Sequence, residues 1–366
     1  KYLKKQFIFL LFTTFAGIFV NDYAKATILN NSYKEVIDHV WHIVYRDFLD
    51  SSGNFERSNW IDIRKDFLSR KYSDSTEAYD AIREMLSNLD DPYTRFLEPK
   101  EFNQMRIDTS GELTGVGIQI IKDKESDDLI IVSPIEGTPA YDAGIKAKDK
   151  ILSIDDISTK AMSIEEAVKL IRGERGSKVK LEILRDGNSF YKSLSRERIE
   201  IRSVTSKINQ TKNGLSIGYI RIKQFNANAA KEMKDNLKNL EKNQVSGYIL
   251  DLRSNPGGLL ESSIDISRQF INKGIIVSTL TKDGLKEIKR GNGQALTKKP
   301  LIVLVNEGSA SASEIVSGAI KDNKRGKLVG KKTFGKGLVQ SMRTLVDGSG
   351  LTVTVAKYLT PNGTDI

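Results

Sequence analysis

Apolar runs of strand length alternate with amphipathic segments of helix length from about residue 203 onward. Ser216–Ile222 has the pattern of a strand, Ala229–Asn243 that of a helix, and Gly247–Leu252 again that of a strand. Such alternation is typical of an α/β core, because parallel strands are joined by crossover helices. The same patterns predict further strands at Ile275–Leu280, Leu301–Val305, Leu328–Gly330 and Leu351–Tyr358, and helices near Leu259–Ile271 and from Ser311 onward.

The part of the chain before this core has a different texture. From Ser32 to Pro99 apolar residues recur at helical spacing, whereas Glu101–Glu200 is rich in short strands and turns. A chain of 366 residues is also too long for one ordinary core. We therefore predict a multidomain α+β and α/β protein. Its expected parts are an N-terminal segment at 1–26, a helical region at 27–100, a β-rich domain at 101–198 and an α/β core at 199–366.

The N-terminal segment has the pattern of a secretory signal peptide. Lys1, Lys4 and Lys5 precede an uncharged stretch from Phe7 to Val20, and Ala24-Lys25-Ala26 follows as a small-x-small site. The alternative is an uncleaved anchor, which would associate the protein with a membrane, although the apolar stretch is short for a span. Either interpretation predicts export, to the periplasm or the outer face of the cytoplasmic membrane.

Composition excludes several classes of active site. The chain has no Cys and only two His, so cysteine nucleophiles, Cys-ligated metals and most histidine-based triads are excluded. His39 and His42 lie three positions apart on a predicted helix, and no third metal ligand is evident near them. Structural or surface roles are the better interpretation of this pair. We predict neither a metal nor an organic cofactor.

The net charge of +10 raises the alternative of an anionic partner such as nucleic acid. Lysines and acidic residues are interspersed along the chain, however, without a long basic block or an aromatic-plus-Arg stacking pattern. We therefore predict no nucleic-acid binding.

Three loops of the core carry the residues that suggest chemistry, and each follows an apolar strand. The first is Asp251–Gly258, where paired glycines allow backbone N–H groups to approach a ligand and build an oxyanion hole. The second is Asn306–Glu314, in which Ser309, Ser311 and Ser313 stand among small residues at a helix start. By itself, each loop also has a plain structural interpretation, as a turn or as a helix N-cap with Glu314 completing a capping box with Ser311.

The third loop, Gly330–Gly337, places Lys336 between two glycines. It matches most of a phosphate-binding loop, but Gly337 occupies the position that needs Ser or Thr, and strand-like sequence follows it. A lysine that burial keeps neutral can instead accept a proton from serine. Together the loops provide a nucleophile, a base and oxyanion donors without histidine, which is the serine–lysine form of acyl-transfer chemistry. Residue patterns alone do not choose among the three serines.

At this point the sequence resembles the carboxyl-terminal processing proteases, also called tail-specific proteases. The resemblance runs from about Asp90 to Ile366, and five segments carry it in the family's order: LDDPYTRFL (Leu89–Leu97), TGVGIQI (Thr114–Ile120), DLRSNPGG (Asp251–Gly258), GSASASEI (Gly308–Ile315) and KTFGKGLVQ (Lys332–Gln340). The resemblance implies a crotonase/ClpP-like α/β core and a serine endopeptidase that forms an acyl-enzyme. Its expected partners are proteins or peptides with free C-terminal tails.

The resemblance also implies roles for individual residues. Ser311 would be the nucleophile and Lys336 the general base, with Gln340 orienting the lysine amine. The amides of Gly257 and Ala312 would form the oxyanion hole, and Asp322 matches an acidic position that we interpret as structural.

The β-rich domain resembles a PDZ domain, which binds an extended peptide as an added strand and holds its terminal carboxylate. The expected carboxylate loop is Gly115-Val116-Gly117-Ile118, for which a bulged strand is the structural alternative. Arg172 resembles a position that couples the PDZ domain to the active site, and its alternative is a cation favoured by the end of a helix. Two other classes remain as rivals: a PDZ adaptor that does not cleave, and a crotonase-like acyl-CoA enzyme.

Overall fold

The computed structural model of the protein describes residues 22–50, 53, 55–123 and 125–365. These residues form two compact units. The first contains the described residues up to Pro99 together with Gln340–Thr354, and the second contains Lys100–Val339 together with the residues from Val355 onward. Residues 1–21 of the predicted signal segment at 1–26 lie outside the described residues. No helix among the described residues has the length and apolar character that crossing a membrane requires.

The first unit is mainly helical, as its apolar spacing predicts. Its elements are α1 (Asp22–Asp47), α2 (Arg57–Ser69), α3 (Ser75–Ser87), β1 (Arg95–Leu97) and most of β17 (Leu338–Thr344). Asp74 is the N-cap of α3, where its side chain accepts a hydrogen bond from the Glu77 N–H at 2.9 Å. β1 runs antiparallel to residues 350–352, the beginning of β18 (Gly350–Leu359).

The β-rich part of the second unit follows α4 (Pro99–Ser110). Its main sheet has the order β3-β4-β5-β7-β8, with β6 beside β5, and β2 pairs separately with β9. The bounds are β2 (Glu112–Gly115), β3 (Ile118–Lys122), β4 (Leu129–Pro134), α5 (Pro139–Asp142), β5 (Lys150–Ile154), β6 (Ile157–Ser158), α6 (Ile164–Ile171), β7 (Lys178–Arg185), β8 (Asn188–Ser195) and β9 (Glu197–Glu200). Alternating apolar side chains such as Val179, Leu181 and Ile183 of β7 are fully buried and form its core.

The rest of the second unit is the predicted α/β core. Its sheet has the order β10-β11-β12-β15-β16, and all neighbours from β11 to β16 run parallel. The elements are β10 (Val204–Gln210), β11 (Ser216–Ile222), α7 (Ala229–Lys242), β12 (Gly247–Asp251), α8 (Leu260–Arg268), β13 (Ile275–Thr281), β14 (Lys286–Arg290), β15 (Leu301–Val305), α9 (Ala312–Asp322) and β16 (Lys327–Gly330). The predicted strands and helices of this region are confirmed. β10 and β14 were not predicted.

The order of the strands positions the site. β12, β15 and β16 are parallel neighbours, with Asp251 opposite Leu304 and Val305 opposite Gly330. The three chemistry-bearing loops leave the carboxyl ends of these strands, so they lie together at one edge of the sheet. Ligands bind at this edge in open α/β sheets.

Candidate active site

Hydrogen bonds fasten the first two loops to each other. The Asn306 side-chain oxygen accepts from the Ser254 N–H at 2.7 Å, and the Ala310 N–H donates to the Asn255 carbonyl oxygen at 3.0 Å. Asn255 is fully buried, and its side-chain amide donates to the Ile222 carbonyl oxygen at 2.9 Å. The two loops therefore form one cross-linked framework rather than two independent turns.

The structure distinguishes the three serines. The Ser309 hydroxyl donates to the Leu252 carbonyl oxygen at 2.8 Å, and the Ser313 hydroxyl donates to the Asn255 carbonyl oxygen at 3.0 Å. Both residues are fully buried. Ser311 is half-buried, and its Oγ accepts a hydrogen bond from the Tyr358 hydroxyl at 2.9 Å. Ser309 and Ser313 thus fasten the loops together, and Ser311 is the serine that is accessible at the sheet edge.

The backbone of Ser311 is strained. Its φ of 54° and ψ of −114° place a residue with a side chain in a region that favours glycine. Such a conformation costs on the order of 1–3 kcal/mol and persists only where the surroundings impose it. Ser311 is the N-cap of α9, so its side chain lies at the start of a helix, a position that nucleophilic serines occupy in some hydrolases.

Glu314 joins the serine loop to the lysine loop. Its carboxylate is buried (3% exposed) and accepts hydrogen bonds from the backbone N–H groups of Ser311 at 2.8 Å, Gly335 at 2.6 Å and Lys336 at 2.9 Å. The sequence indicated only a helix-capping role for this residue. The predicted capping box with Ser311 is present, and the bond from the Ser311 N–H is the part of it that the Glu314 side chain makes. The two bonds to the third loop are long-range, and nothing in the local sequence signals them.

Lys336 itself is half-buried, in an irregular segment between β16 and β17. Two further backbone bonds hold the residues around it. Before the lysine, the Phe334 N–H donates to the Ser309 carbonyl oxygen at 3.0 Å. After it, the Gly337 carbonyl oxygen accepts from the Tyr358 N–H at 2.9 Å. The backbone on both sides of the lysine is therefore tied to the elements that surround Ser311. The structure brings the predicted nucleophile and base loops together.

The two predicted oxyanion donors differ in the structure. The Ala312 N–H is at the first turn of α9 and has no acceptor among the described residues. The Gly257 N–H, in contrast, donates to the Asn255 side-chain oxygen at 2.9 Å. The Gly257 amide is engaged because an Asn two residues earlier closes a local turn on it.

Gly257 nevertheless lies against the loop that carries Ser311. A Cβ at this position would come within 2.8 Å of the Ser311 Cβ and 2.7 Å of the Ala310 carbonyl oxygen, and the φ of 103° also favours glycine. Glycine is therefore required here for close packing and for its backbone conformation.

A buried charge cluster lies at the end of β12. Asp251 is fully buried and accepts hydrogen bonds from the Arg253 guanidinium at 2.9 and 2.7 Å and from the Tyr219 hydroxyl. Burial disfavours the charged form, but the bonds from Arg253 and Tyr219 outweigh it and lower the pKa of Asp251 to about 2. This carboxylate is ionised at neutral pH and holds the beginning of the first loop.

Gln340 and Asp322, the other two predicted site residues of the core, have structural contacts. Gln340 belongs to the first unit, and its side-chain amide lies 3.4 Å from the Thr354 Oγ1, which donates to the Asp91 carboxylate at 2.6 Å. Asp322 ends α9, and its carboxylate accepts from the Asn362 N–H at 3.1 Å. The contact of Asp322 agrees with its structural interpretation.

The predicted carboxylate loop borders a pocket in the β-rich domain. Gly115, Val116, Gly117 and Ile118 line the pocket together with apolar side chains such as Leu113, Ile120, Val168 and Ile171. The carbonyl oxygens of Val116 and Gly117 accept from the N–H groups of Ala140 and Ile135 at 2.9 and 2.8 Å. Because these peptides are trans, the N–H groups of Gly117 and Ile118 point the opposite way from those carbonyls.

Arg172 also lines this pocket, directly after α6. The structural alternative for Arg172 was a cation that stabilises the helix end. Arg196 has that position instead, since its guanidinium donates to the carbonyl oxygens of Leu170 at 2.8 Å and Ile171 at 2.9 Å. Arg172 is thus left facing the pocket that the carboxylate loop borders.

His39 is half-buried and His42 is exposed, both on α1. His42 Nδ1 lies 2.9 Å from the Asp38 carbonyl oxygen on the surface of α1. Across the part of the chain that the structure describes, no three His, Asp or Glu side chains are grouped as metal ligands would be.

Comparison with known proteins agrees with this architecture. The model of peptidase family S41 matches residues 216–366, and that of the PDZ domain matches residues 130–185. The chain is 45% identical to the carboxyl-terminal-processing protease of Synechocystis sp. over 328 residues, which is 89% of this chain and 76% of that protein. It is also 45% identical to the protein of the same name from Picosynechococcus sp., over 91% of this chain and 80% of that one. Among solved structures, the photosystem II D1 C-terminal processing protease is similar, with a TM-score of 0.57, 37% identity and coverage of 91% of this chain and 90% of that chain.

Proposed function

Because the chain belongs to peptidase family S41 and is a carboxyl-terminal-processing serine peptidase, we propose that it cleaves protein tails through an acyl-enzyme on Ser311, with Lys336 as the base. One observation carries the choice of nucleophile. Of the three serines in the loop, Ser311 alone is accessible and has a strained backbone. Its hydroxyl contacts the Tyr358 hydroxyl, whereas those of Ser309 and Ser313 donate to backbone carbonyl oxygens. The Glu314 bridge supports the choice of Lys336, because it holds the lysine backbone beside the serine turn.

In the proposed mechanism Ser311 Oγ attacks the scissile carbonyl carbon while the neutral amine of Lys336 takes the hydroxyl proton. The proton passes to the departing amine, which leaves Ser311 as an ester. Water then attacks the ester with Lys336 again as the base, and the serine hydroxyl is regenerated.

The Ala312 N–H at the start of α9 is the proposed donor to the oxyanion. The positive end of the helix dipole supports charge at this point. Gly257 is the proposed second donor, and this role requires that its N–H is released from the Asn255 side-chain oxygen when substrate binds. Gln340 is proposed to orient the lysine amine, on the strength of the family resemblance.

The PDZ pocket is the proposed site for the substrate C-terminus. Its apolar lining suits an apolar last side chain, and the N–H groups of Gly117 and Ile118 would hold the terminal carboxylate. Arg172 at the pocket provides a cation for the same carboxylate, and its contact with bound substrate would couple the PDZ domain to the active site.

Activity of single variants tests the proposed chemistry. Ser311→Ala and Lys336→Ala should each abolish cleavage of an unstructured protein with an apolar C-terminus. Ser309→Ala and Ser313→Ala are matched controls, because each removes a hydroxyl from the same loop. They should lose about 1 kcal/mol of stability for a buried hydrogen bond and retain turnover. Cleavage by Ser311→Ala would overturn the assignment.

Two substrates that differ only in their tails test the role of the PDZ pocket. The substrate with a free apolar C-terminus should be cleaved faster than the same protein with a charged or amidated C-terminus. Arg172→Ala should lower turnover even for peptides without a PDZ-binding tail if the domain activates the site. Unchanged turnover of those peptides would leave tethering as the role of the domain.

Export to the periplasm or the outer face of the cytoplasmic membrane is also proposed, on the basic and apolar pattern of residues 1–26. Fractionation of cells that express the full chain, with sequencing of the mature N-terminus, tests it. Recovery of the intact protein from the cytoplasm would contradict it.

A further inference from the structure

Tyr358 contacts the proposed nucleophile directly, although neither the residue patterns nor the family segments single it out. It is a buried residue of β18 (2% exposed), and its hydroxyl donates to Ser311 Oγ at 2.9 Å. Its backbone N–H donates to the carbonyl oxygen of Gly337, the neighbour of Lys336, at 2.9 Å. One residue thus touches the serine with its side chain and the lysine loop with its backbone.

The direction of the hydrogen bond has a chemical consequence. A serine hydroxyl has one hydrogen to donate and two lone pairs that accept. With the Tyr358 hydroxyl as the donor to one lone pair of Ser311 Oγ, the serine hydrogen points elsewhere. The proton is therefore free for a base, while the oxygen already has a donor for the negative charge that develops when the proton leaves.

Packing does not require this hydroxyl. The ring of Tyr358 belongs to the same buried cluster as Tyr248, and a phenylalanine ring would fill the same space. Tyr248 is equally buried, but its hydroxyl donates to the Glu241 carboxylate at 2.6 Å. The two tyrosines differ in what their hydroxyls contact, and only Tyr358 contacts a reacting atom.

We propose that Tyr358 is a catalytic residue that donates a hydrogen bond to Ser311 Oγ throughout the reaction, an inference that rests on the proposed function of Ser311 and Lys336. During acylation the bond stabilises the oxygen as the serine proton moves to Lys336 and the new C–O bond forms. During deacylation the same oxygen becomes the leaving group as its ester bond breaks. The bond to Tyr358 then stabilises it until it regains a proton from Lys336. The tyrosine keeps its own proton in both steps.

Tyr358→Phe removes the hydroxyl and keeps the ring. Because the bond strengthens only as charge develops on Oγ, we expect kcat to fall by about 10- to 100-fold with KM within about twofold of wild type. Tyr248→Phe is the matched control, since it removes a buried tyrosine hydroxyl from the same core. The assay measures steady-state cleavage of a fluorogenic peptide with an apolar C-terminus, together with the melting temperature of each variant.

A merely structural role predicts a different result, namely a lowered melting temperature with kcat unchanged in the fraction that remains folded. Wild-type kcat in Tyr358→Phe, with Ser311→Ala inactive, would overturn this inference and leave the proposed function intact. Activity in Ser311→Ala would overturn the proposed function itself. A kcat for Tyr248→Phe as low as that of Tyr358→Phe would also count against the inference, because any loss of a core hydroxyl would then suffice.

Discussion

Replacing Glu314 with glutamine tests whether one buried carboxylate positions both halves of the proposed dyad. In the structure, Oε1 accepts from the Gly335 N–H, and Oε2 accepts from the N–H groups of Ser311 and Lys336. A glutamine has one accepting oxygen and an NH₂ group that only donates. Whichever way its amide turns, at least one of the three backbone donors loses its acceptor and faces another donor.

The expected cost follows from these contacts. A hydrogen bond to a charged group contributes about 1.5–3 kcal/mol, and at least one such bond is lost in Glu314→Gln. Gly335 is exposed, so if its N–H loses the Glu314 acceptor, water can partly replace the lost hydrogen bond. We therefore expect the free energy of unfolding to fall by about 2 kcal/mol. The effect on turnover should be larger. A displacement of about 1 Å in a reacting group lowers the rate by about 100-fold.

The assay compares kcat/KM and chemical denaturation for Glu314→Gln and for a matched control, Glu232→Gln. Glu232 is also a first-turn glutamate, in α7, and its Oε2 accepts from the N–H groups of Ser203 at 2.9 Å and Val204 at 2.8 Å. A glutamine oxygen at position 232 can still accept from both donors, so the control loses only the charge of the acceptor; we expect a smaller loss of stability and an unchanged turnover per folded molecule. If Glu314→Gln lost stability but kept kcat/KM within about threefold of wild type, the positioning argument would be refuted.

Three further predictions concern Gly257 and Asp251 of the first loop and Asp322 at the end of α9. Gly257→Ala should lower kcat/KM by more than about 100-fold while the protein stays folded, because its Cβ would displace Ser311 by contact at 2.8 Å. Gly284→Ala, which has a similar positive φ with no atom within 4 Å of the added Cβ, is its control and should retain wild-type kinetics. The depressed pKa of Asp251, about 2 against 3.8, should stabilise the fold by about 2 kcal/mol at pH values above about 4, and this contribution should disappear as the pH falls toward 2. Asp251→Asn should remove that part of the acid dependence in denaturation midpoints compared between pH 7 and pH 3. Asp322→Asn keeps an oxygen that can accept from the Asn362 N–H, so we expect unchanged kcat and a stability loss below about 1 kcal/mol, and a large loss of kcat would contradict the structural role of Asp322.

The sequence predicted the elements of the core well because their signals are local. The strand at Ser216–Ile222 has the predicted bounds, and α7 and β15 differ from prediction by at most one residue at an end. Apolar periodicity reflects burial on one face, which neighbouring residues along the chain already encode. β10 escaped prediction because it is an edge strand whose side chains are mostly exposed and polar, so it lacks the apolar pattern.

The position of the site was also predictable, since parallel strands end at a common edge and three consecutive strands of the sheet carry the unusual loops. The choice among Ser309, Ser311 and Ser313 was not predictable from residue patterns. It depends on carbonyl oxygens at Leu252 and Asn255, more than fifty positions away in the chain. The engaged amide of Gly257 likewise depends on how the buried Asn255 side chain is held by its contacts.

The sequence alone therefore determined the fold class, the three loops and the residue types available for chemistry, because periodicity, strand ends and composition are properties of the chain. Tertiary structure decided which serine is accessible, that Glu314 bridges the two loops, and that Tyr358 reaches Ser311. Each of these depends on a hydrogen bond between segments that are distant in sequence. Such bonds form only once the sheet has brought its strand ends together.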